Sequence, residues 1–224
     1  EVLDFIKRDL GEEGLKRSVI VYSTGDQPSI CRLRAAYVAT AIAEYFRDKG
    51  MDVMLMMDSV TRFAKAQREI GLAKGEPGAQ RGYTPSVFEM IPKLLERTGT
   101  NDKGSITAFY TVLVDGDDMN EPISDTVRGV LDGHIILNRA LANAYHYPAI
   151  DVLPSISRLS NRVTGKQTKK ACAVLRGWMS TYQARETMIT SGVYQKGSSP
   201  EIDAAIDKHE DIEKFLCQEE FEPC

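Results

Sequence analysis

A run of apolar residues that ends in an aspartate is the feature that most constrains the fold. Every residue from Val53 to Met57 is apolar, Gly50 lies just upstream, and Asp58 closes the run. A continuous apolar run of this length is typical of a strand buried on both faces, as in a parallel sheet. The aspartate then lies at the edge where open α/β sheets bind ligands. The sequence therefore predicts an α/β fold with a candidate ligand site at Asp58.

Strands and helices of suitable length alternate around this run. Val19 to Thr24 has the composition of another buried strand, and a helical pattern then runs from Ile30 to Gly50. With the strand at 53–58 these elements make a right-handed βαβ unit, so the sheet is predicted to be parallel and flanked by helices. The other predicted elements are helices at 59–73, 85–97 and 123–131, strands at 105–114 and 133–137, and an extended segment at 148–153.

The character of the chain changes after Asn161. Residues 166–189 carry apolar side chains at helical spacing, and Pro200 begins a helical pair that runs to Leu216. We therefore expect two domains, an α/β domain over residues 1–160 and a small C-terminal helical domain over residues 161–224.

Composition narrows the class of protein. The 224 residues carry a formal net charge of −4 and 42% hydrophobic residues, which is ordinary for a soluble globular chain and gives no basic surplus for nucleic acid. The four cysteines form no C-x-x-C pair, so we expect no zinc site and a reduced, cytoplasmic compartment. Since no run of about 18 apolar residues occurs, we expect no membrane-spanning helix.

Three side chains are candidates for phosphate chemistry, and a fourth is a candidate for stacking on an adenine. Asp58 ends the apolar run, and Arg62 follows one helical turn later, where it could neutralise phosphate charge. Arg158 follows a predicted sheet segment and suits stabilisation of charge on phosphoryl oxygens, while Tyr147 could stack on an adenine. We expect Asp58 and Arg158 to emerge along one rim of the parallel sheet.

Each candidate also has a structural interpretation. Arg62 fits a solvated helix terminus, Arg158 a surface ion pair, and Tyr147 a core or surface tyrosine. The acidic stretch from Gly116 to Pro122 lacks the spacing of an EF-hand, so we favour a turn whose carboxylates pair with arginines or cap a helix.

Taken together, these stretches resemble the catalytic domain of the rotary ATPase superfamily, which has a RecA-like fold. The resemblance is strongest to the flagellar protein export ATPases and their type III secretion relatives, and the wording of Val60–Ala73 favours the flagellar branch. The strings that carry it are Arg32–Tyr37, Leu55–Ala64, Gln67–Ala73, Arg81–Phe88, Gly104–Val114, Gly116–Pro122, Pro148–Asp151 and Ser155–Arg158.

The resemblance implies a homohexameric ring that hydrolyses ATP with Mg²⁺ at subunit interfaces. Asp58 would be the Walker B carboxylate that holds Mg²⁺ through water, Arg158 the arginine finger, and Tyr147 the adenine neighbour. The loop at 75–85 would line a central pore near a stalk protein, and the helical domain would contact export chaperones and secreted substrates. Such an enzyme is cytoplasmic and peripheral to the inner face of the membrane, at the export gate.

One departure from the family is large. The sequence contains no G-x-x-x-x-G-K-[S/T] phosphate loop and none of the catalytic glutamate that follows it in the family. Because the chain begins at Glu1 without a methionine, we expect a piece of a longer protein. Because the phosphate loop and the glutamate are missing, we expect this piece to be inactive by itself, with exposed strand edges and apolar surface through which it dimerises. Two alternatives stay open: a transcription-termination type of RNA-dependent hexameric helicase, and a non-catalytic ring subunit.

Overall fold

The computed structural model describes residues 2–114, 116, 118–219 and 222. Contacts divide the chain into two compact units, Glu1–Leu131 and Asp132–Cys224. The helices are α1 (Val2–Asp4), a π-helical turn (Phe5–Leu10), α2 (Gly11–Leu15), α3 (Ser29–Asp48), α4 (Val60–Ala73), a 3-10 turn (Gln80–Gly82), α5 (Pro85–Leu95), α6 (Pro122–Val130), α7 (Arg139–Asn143), α8 (Ser160–Val163), α9 (Lys166–Thr190) and α10 (Pro200–Leu216). The strands are β1 (Asp52–Met57), β2 (Gly99–Thr100), β3 (Ser105–Tyr110), β4 (Gly133–Leu137) and β5 (Ile150–Ser157).

The first unit is built on a three-stranded sheet in the order β1-β3-β2. β1 and β3 are parallel, with Leu55 opposite Ala108 and Met57 opposite Tyr110, whereas the short β2 runs antiparallel to β3. The parallel pairing of the predicted strands at 53–58 and 105–114 is thus present, with α4 and α5 in the connection between them. A mixed α/β fold was predicted, and it is confirmed.

The helices that cover this sheet follow directly from the sequence. Ser59 caps α4 by accepting a hydrogen bond from the Arg62 amide at 3.3 Å, and Pro85 begins α5. Both helices turn a stripe of apolar residues inward at three- and four-residue spacing. With residues of α3 and α6 they make the main core: Leu33, Val60, Phe63, Ala64, Tyr83, Val87, Ile91, Leu94, Leu95, Ile123 and Val127.

The apolar run in β1 is buried on one face only, which corrects the prediction of burial on both. Leu55 packs with Ile106 and with Ala43 of α3, while Met54 and Met56 are 67% and 68% exposed on the opposite face. Successive side chains of a strand point to opposite faces of its sheet, so a sheet covered by helices on one side leaves every second residue in solvent.

The predicted strand at 19–24 is also wrong, because these residues have no regular secondary structure. A strand exists only with a partner for its backbone groups, and the described strands leave this segment unpaired. Val19 and Tyr22 within it are 58% and 69% exposed.

The second unit combines a two-stranded sheet with helices. β4 and β5 pair antiparallel and are separate from the first sheet, which corrects the expectation of one parallel layer. The predicted helical pair from Pro200 to Leu216 is the single helix α10. Arg176 of α9 donates hydrogen bonds to the carbonyls of Val152 and Leu153 at 2.7 Å each, which ties the helices to β5. The contact division therefore lies earlier than residue 160, and the predicted domain boundary there stays a prediction.

Candidate functional site

Asp58 lies directly after β1, at the carboxyl-terminal end of the strand, and its side chain is exposed. The Thr111 hydroxyl donates a hydrogen bond to its Oδ1 atom at 2.8 Å. Thr111 follows β3, the parallel neighbour of β1, so the pairing of the two strands places donor and acceptor side by side. One carboxylate oxygen is thus held in position on an exposed strand end.

Three further hydrogen bonds fix the backbone around this carboxylate. The Val60 amide donates to the Thr111 carbonyl at 3.0 Å, and the Thr111 amide donates to the Met57 carbonyl at 3.1 Å. The Leu113 amide donates to the hydroxyl of Thr61 at 2.8 Å. The start of α4 and the chain after β3 are therefore joined, and Asp58 stands between two anchored segments.

Arg62 lies in the first turn of α4, four residues after Asp58, and its side chain is exposed. Both residues belong to the first unit and lie on the same strand-to-helix connection. The backbone amide of Arg62 donates to Ser59 and so takes part in capping the helix. The side chain of Arg62 extends from the start of the helix, where backbone N–H groups also favour anions.

Arg158 and Tyr147 belong to the second unit. Arg158 follows the end of β5 with an exposed side chain, and its amide donates to the Asp132 carbonyl at 2.7 Å. Tyr147 precedes β5, and its side chain is 51% exposed. Its carbonyl accepts a hydrogen bond from the Gln218 amide at 2.8 Å.

The structure thus groups the four predicted residues in two pairs. Asp58 and Arg62 stand at one strand end of the three-stranded sheet, whereas Tyr147 and Arg158 flank β5 of the two-stranded sheet. Asp58 and Arg158 do not share a sheet among the described strands, which corrects the expectation that both emerge along one rim of a parallel sheet. Their convergence on one ligand stays a prediction.

The acidic loop before α6 has the structural roles favoured from the sequence. Asp118 forms an ion pair with Arg81 of the predicted pore loop. Glu121 is 4% exposed and caps α6 by accepting from the Ser124 amide at 3.2 Å. The same predicted pore loop is anchored at Glu76, where hydrogen bonding by the Ser86 side chain is the main cause that lowers the pKa of the Glu76 carboxyl.

Thr111 is the contact that sequence reasoning missed. The signal was present, since a threonine follows the strand at 105–110 at the point where parallel strands end together. The sequence alone could not identify the contact, because the register that sets Met57 opposite Tyr110 is known only from the fold.

The described residues also contain an open groove of about 420 Å³ beside the irregular segment at 19–24. Its polar lining includes Gln27 and Arg34, and none of the four predicted site residues lines it.

The exposed carboxylate of Asp58 fits a Mg²⁺ ion that is held through water. Mg²⁺ keeps several waters and uses one or two carboxylates together with substrate phosphates. Asp58 offers one exposed carboxylate, which matches that demand, and the described residues contain no cluster of three or more ligating side chains that would hold a metal by themselves.

Comparison with known proteins decides the family. The model described as the ATP synthase alpha/beta family, nucleotide-binding domain, matches residues 1–157. This chain belongs to the ATP synthase alpha/beta family. A second model, the T3SS EscN ATPase C-terminal domain, matches residues 164–224. The resemblance read from the sequence strings is therefore confirmed.

Relatives of high sequence identity are named as flagellum-specific and type 3 secretion system ATPases. The flagellum-specific ATP synthase of Bacillus subtilis (strain 168) is 62% identical over 223 residues, which cover 100% of this chain and 51% of that protein. The SPI-2 type 3 secretion system ATPase of Salmonella typhimurium is 53% identical over 224 residues, 100% of this chain and 52% of that protein. The chain thus spans about half the length of these relatives.

A solved structure supports the same assignment. The assembled ATPase EscN from the enteropathogenic E. coli type III secretion system is 47% identical and superposes with a TM-score of 0.97, covering 100% of this chain and 54% of that one. The RecA-like α/β class followed by C-terminal helices is thereby confirmed. No helix among the described residues combines the length and apolarity that a membrane crossing requires.

Proposed function

We propose that this chain works as part of an ATP-hydrolysing ring that energises flagellar or type III protein export. The observation that carries the proposal is the exposed Asp58 carboxylate at the end of β1, held by Thr111, in a chain that matches the family's nucleotide-binding domain. The match to relatives named as flagellum-specific and type 3 secretion ATPases supports the export role.

Within that ring the chain's own residues have distinct tasks. Asp58 would hold Mg²⁺ through water, and Arg62 would face phosphate charge from the start of α4. Arg158 stabilises negative charge on the transferred phosphoryl group from a neighbouring subunit, and Tyr147 orients adenine. Mg²⁺, when bound with ATP, neutralises phosphate charge.

Two solved structures of a relative support a ring and a stalk partner. EscN has been solved as an assembled ATPase and in complex with its central stalk EscO, and this chain matches the second structure with a TM-score of 0.88. We infer a homohexameric ring with a central stalk protein near the loop at 75–85. Export chaperones and secreted substrates would bind the C-terminal helices, and the ring would stand in the cytoplasm, peripheral to the inner face of the membrane.

The test compares two aspartates at opposite ends of β1 in the full-length protein. Asp58→Asn removes the carboxylate at the carboxyl end of β1, and Asp52→Asn removes one at the amino end, where Ser105 donates to it at 2.6 Å. We expect Asp58→Asn to lower kcat for ATP by about 100-fold, as loss of a charge-organising group does, and Asp52→Asn to change kcat by less than about twofold.

Equal activities of the two variants would contradict the proposal. Strong stimulation of the unmodified protein by RNA would instead support the helicase alternative. In that case the loop at 75–85 would be an RNA-contacting loop.

A further inference from the structure

His146 is a buried polar residue next to Tyr147 that the proposed function does not use. It is 8% exposed, and its Nδ1 atom lies 3.0 Å from Oε2 of Glu213 and 3.5 Å from Sγ of Cys217. An ionised carboxylate can only accept a hydrogen bond, so Nδ1 carries the hydrogen and donates a hydrogen bond to Glu213. Glu213 belongs to the last turn of α10, which therefore holds the residue beside the proposed adenine neighbour.

A second contact joins the same two segments. Gln218, just beyond α10, donates its amide proton to the carbonyl of Tyr147 at 2.8 Å. Two successive residues of one loop are thus bonded to the end of one helix. We call these two contacts, His146 to Glu213 and Tyr147 to Gln218, the α10 latch.

Backbone position decides where the Tyr147 ring can stand. The side chain is 51% exposed, so packing holds it only in part. On the other side of the loop, the amides of Tyr145 and His146 bond to the carbonyls of Ala142 and Leu141 of α7, at 3.1 and 3.0 Å. The loop is therefore clamped between α7 and the end of α10, and release of one clamp frees Tyr147 on that side.

We propose that the α10 latch positions Tyr147 for the adenine of ATP, and that His146 and Glu213 are positioning residues. This inference rests on the proposed function. It makes nucleotide affinity depend on the end of the C-terminal helix. Bound nucleotide therefore stabilises the latch. A partner that displaces the end of α10 lowers the affinity for nucleotide, and by linkage bound nucleotide lowers the affinity for that partner by the same factor.

The first test uses Glu213 in the full-length protein. Glu213→Ala leaves the buried His146 donor without its acceptor, Glu213→Gln keeps an acceptor oxygen, and Glu210→Ala is the matched control. Glu210 lies on the same helix and pairs with Lys214 in solvent, at 2.6 Å. We expect Glu213→Ala to raise KM for ATP about fivefold, ~1 kcal/mol, with kcat changed less than about twofold. Glu213→Gln and Glu210→Ala stay near the unmodified protein.

The second test compares two variants that both lose the exposed Gln218 side chain and differ in one backbone hydrogen-bond donor. Gln218→Pro deletes the amide donor to Tyr147, whereas Gln218→Ala loses the same side chain but keeps the donor. Cys217, the residue before it, has φ −81° and ψ 136°, a conformation that a following proline accepts. Proline is also common just after a helix ends. We expect Gln218→Pro to raise KM for ATP and Gln218→Ala to leave it unchanged.

A Tyr147→Ala background separates the latch from the proposed function. With the ring gone, Glu213→Ala and Gln218→Pro should have no further effect on KM. If Tyr147→Ala raises KM but the two latch variants do not, or if their effects simply add to it, the latch is wrong and the proposed function stands. If Tyr147→Ala itself leaves KM unchanged, the adenine role of Tyr147 is wrong, and with it the role of the latch.

Discussion

At the scale of single residues, the hydroxyl of Thr111 matters because it fixes an oxygen of Asp58. A freely rotating carboxylate spends part of its time turned away from a cation, and a donor at 2.8 Å removes that freedom. The contact also leaves the second oxygen for water. Thr111 is therefore a positioning residue that orients the carboxylate of Asp58.

Substitution of Thr111 tests this idea. Thr111→Val has nearly the same shape without the donor, and Thr111→Ser keeps the donor. We expect Thr111→Val to raise the Mg²⁺ concentration for half-maximal ATPase activity of the full-length protein about fivefold, as loss of ~1 kcal/mol does. Thr111→Ser should change it little. Equal Mg²⁺ dependence of the two variants would show that the hydroxyl does not orient Asp58.

The sequence alone predicted where two of the candidate residues lie. Asp58 follows a strand and Arg62 lies in the first turn of a helix, as expected from the apolar run and the helical pattern after it, whereas their role in a site stays a prediction. Thr111 and the α10 latch could not be found in this way. The latch joins residues 67 and 71 positions apart, and such pairs are set by tertiary packing.

At the scale of elements, α4 and α5 depend on one close approach. A Cβ atom on Gly71 of α4 would lie 2.5 Å from Oγ1 of Thr84, the fully buried residue that precedes α5. Only glycine lets the helix pass so near.

Gly71→Ala should therefore destabilise the fold by ~1–3 kcal/mol, since steric overlap outweighs the better helix propensity of alanine. Gly177→Ala is the matched control, because a Cβ at that position in α9 meets nothing within 4 Å. There the propensity gain alone should stabilise by ~0.5–1 kcal/mol. Thermal unfolding of both variants measures the difference, and stabilisation by both would contradict the packing argument.

An ion pair ties α3 to the end of α5 and makes stability depend on pH. Arg97 donates to both carboxylate oxygens of Glu44, at 2.8 and 2.5 Å, and this hydrogen bonding is the main cause that lowers the pKa of Glu44. The stabilisation is complete above the pKa of an unfolded glutamate, about 4.3. It is lost as pH falls from there through the lower pKa of the folded protein.

Glu44→Gln should therefore be less stable than the unmodified chain at pH 7, and the difference should shrink as the solution is acidified below pH ~4. Denaturant unfolding at both pH values measures it. Asp125→Asn serves as a control, since its pair with Arg128 is longer, at 3.4 Å, and its side chain is 76% exposed. A difference for Glu44→Gln that persists unchanged in acid would contradict the assignment.

Element boundaries were predicted well where periodicity is long. The helices at 29–48, 60–73 and 166–190 and the strand at 52–57 lie close to their predicted limits. The errors that concern strands share one cause. The segment at 19–24, the outer face of β1 and the pairing of β4 with β5 all depend on what lies beside a strand, and a strand's own sequence does not specify its neighbours.

At the scale of the whole molecule, the first unit exposes apolar surface on its sheet. Met54, Met56 and Phe109 share the uncovered face, and β1 has no partner on its outer edge among the described strands. A free strand edge beside an apolar face favours association.

We therefore expect the 224-residue segment by itself to self-associate and to show no ATP turnover, because its sequence contains no phosphate loop. Met56→Lys on the uncovered face should reduce association without changing the fold, and Leu72→Lys at an exposed position of α4 is the control that adds the same charge elsewhere. Sedimentation and an ATPase assay measure both properties. A monomeric segment, or one with turnover like that of a ring, would contradict this prediction.

The most direct test of the account is a structure of the full-length protein with Mg²⁺ and a non-hydrolysable ATP analogue. The account predicts that the Asp58 carboxylate contacts a water bound to Mg²⁺ and that Arg158 of a neighbouring subunit reaches the terminal phosphate of the same nucleotide. A nucleotide bound away from the end of β1, or an Asp58 carboxylate turned away from the metal, would contradict it.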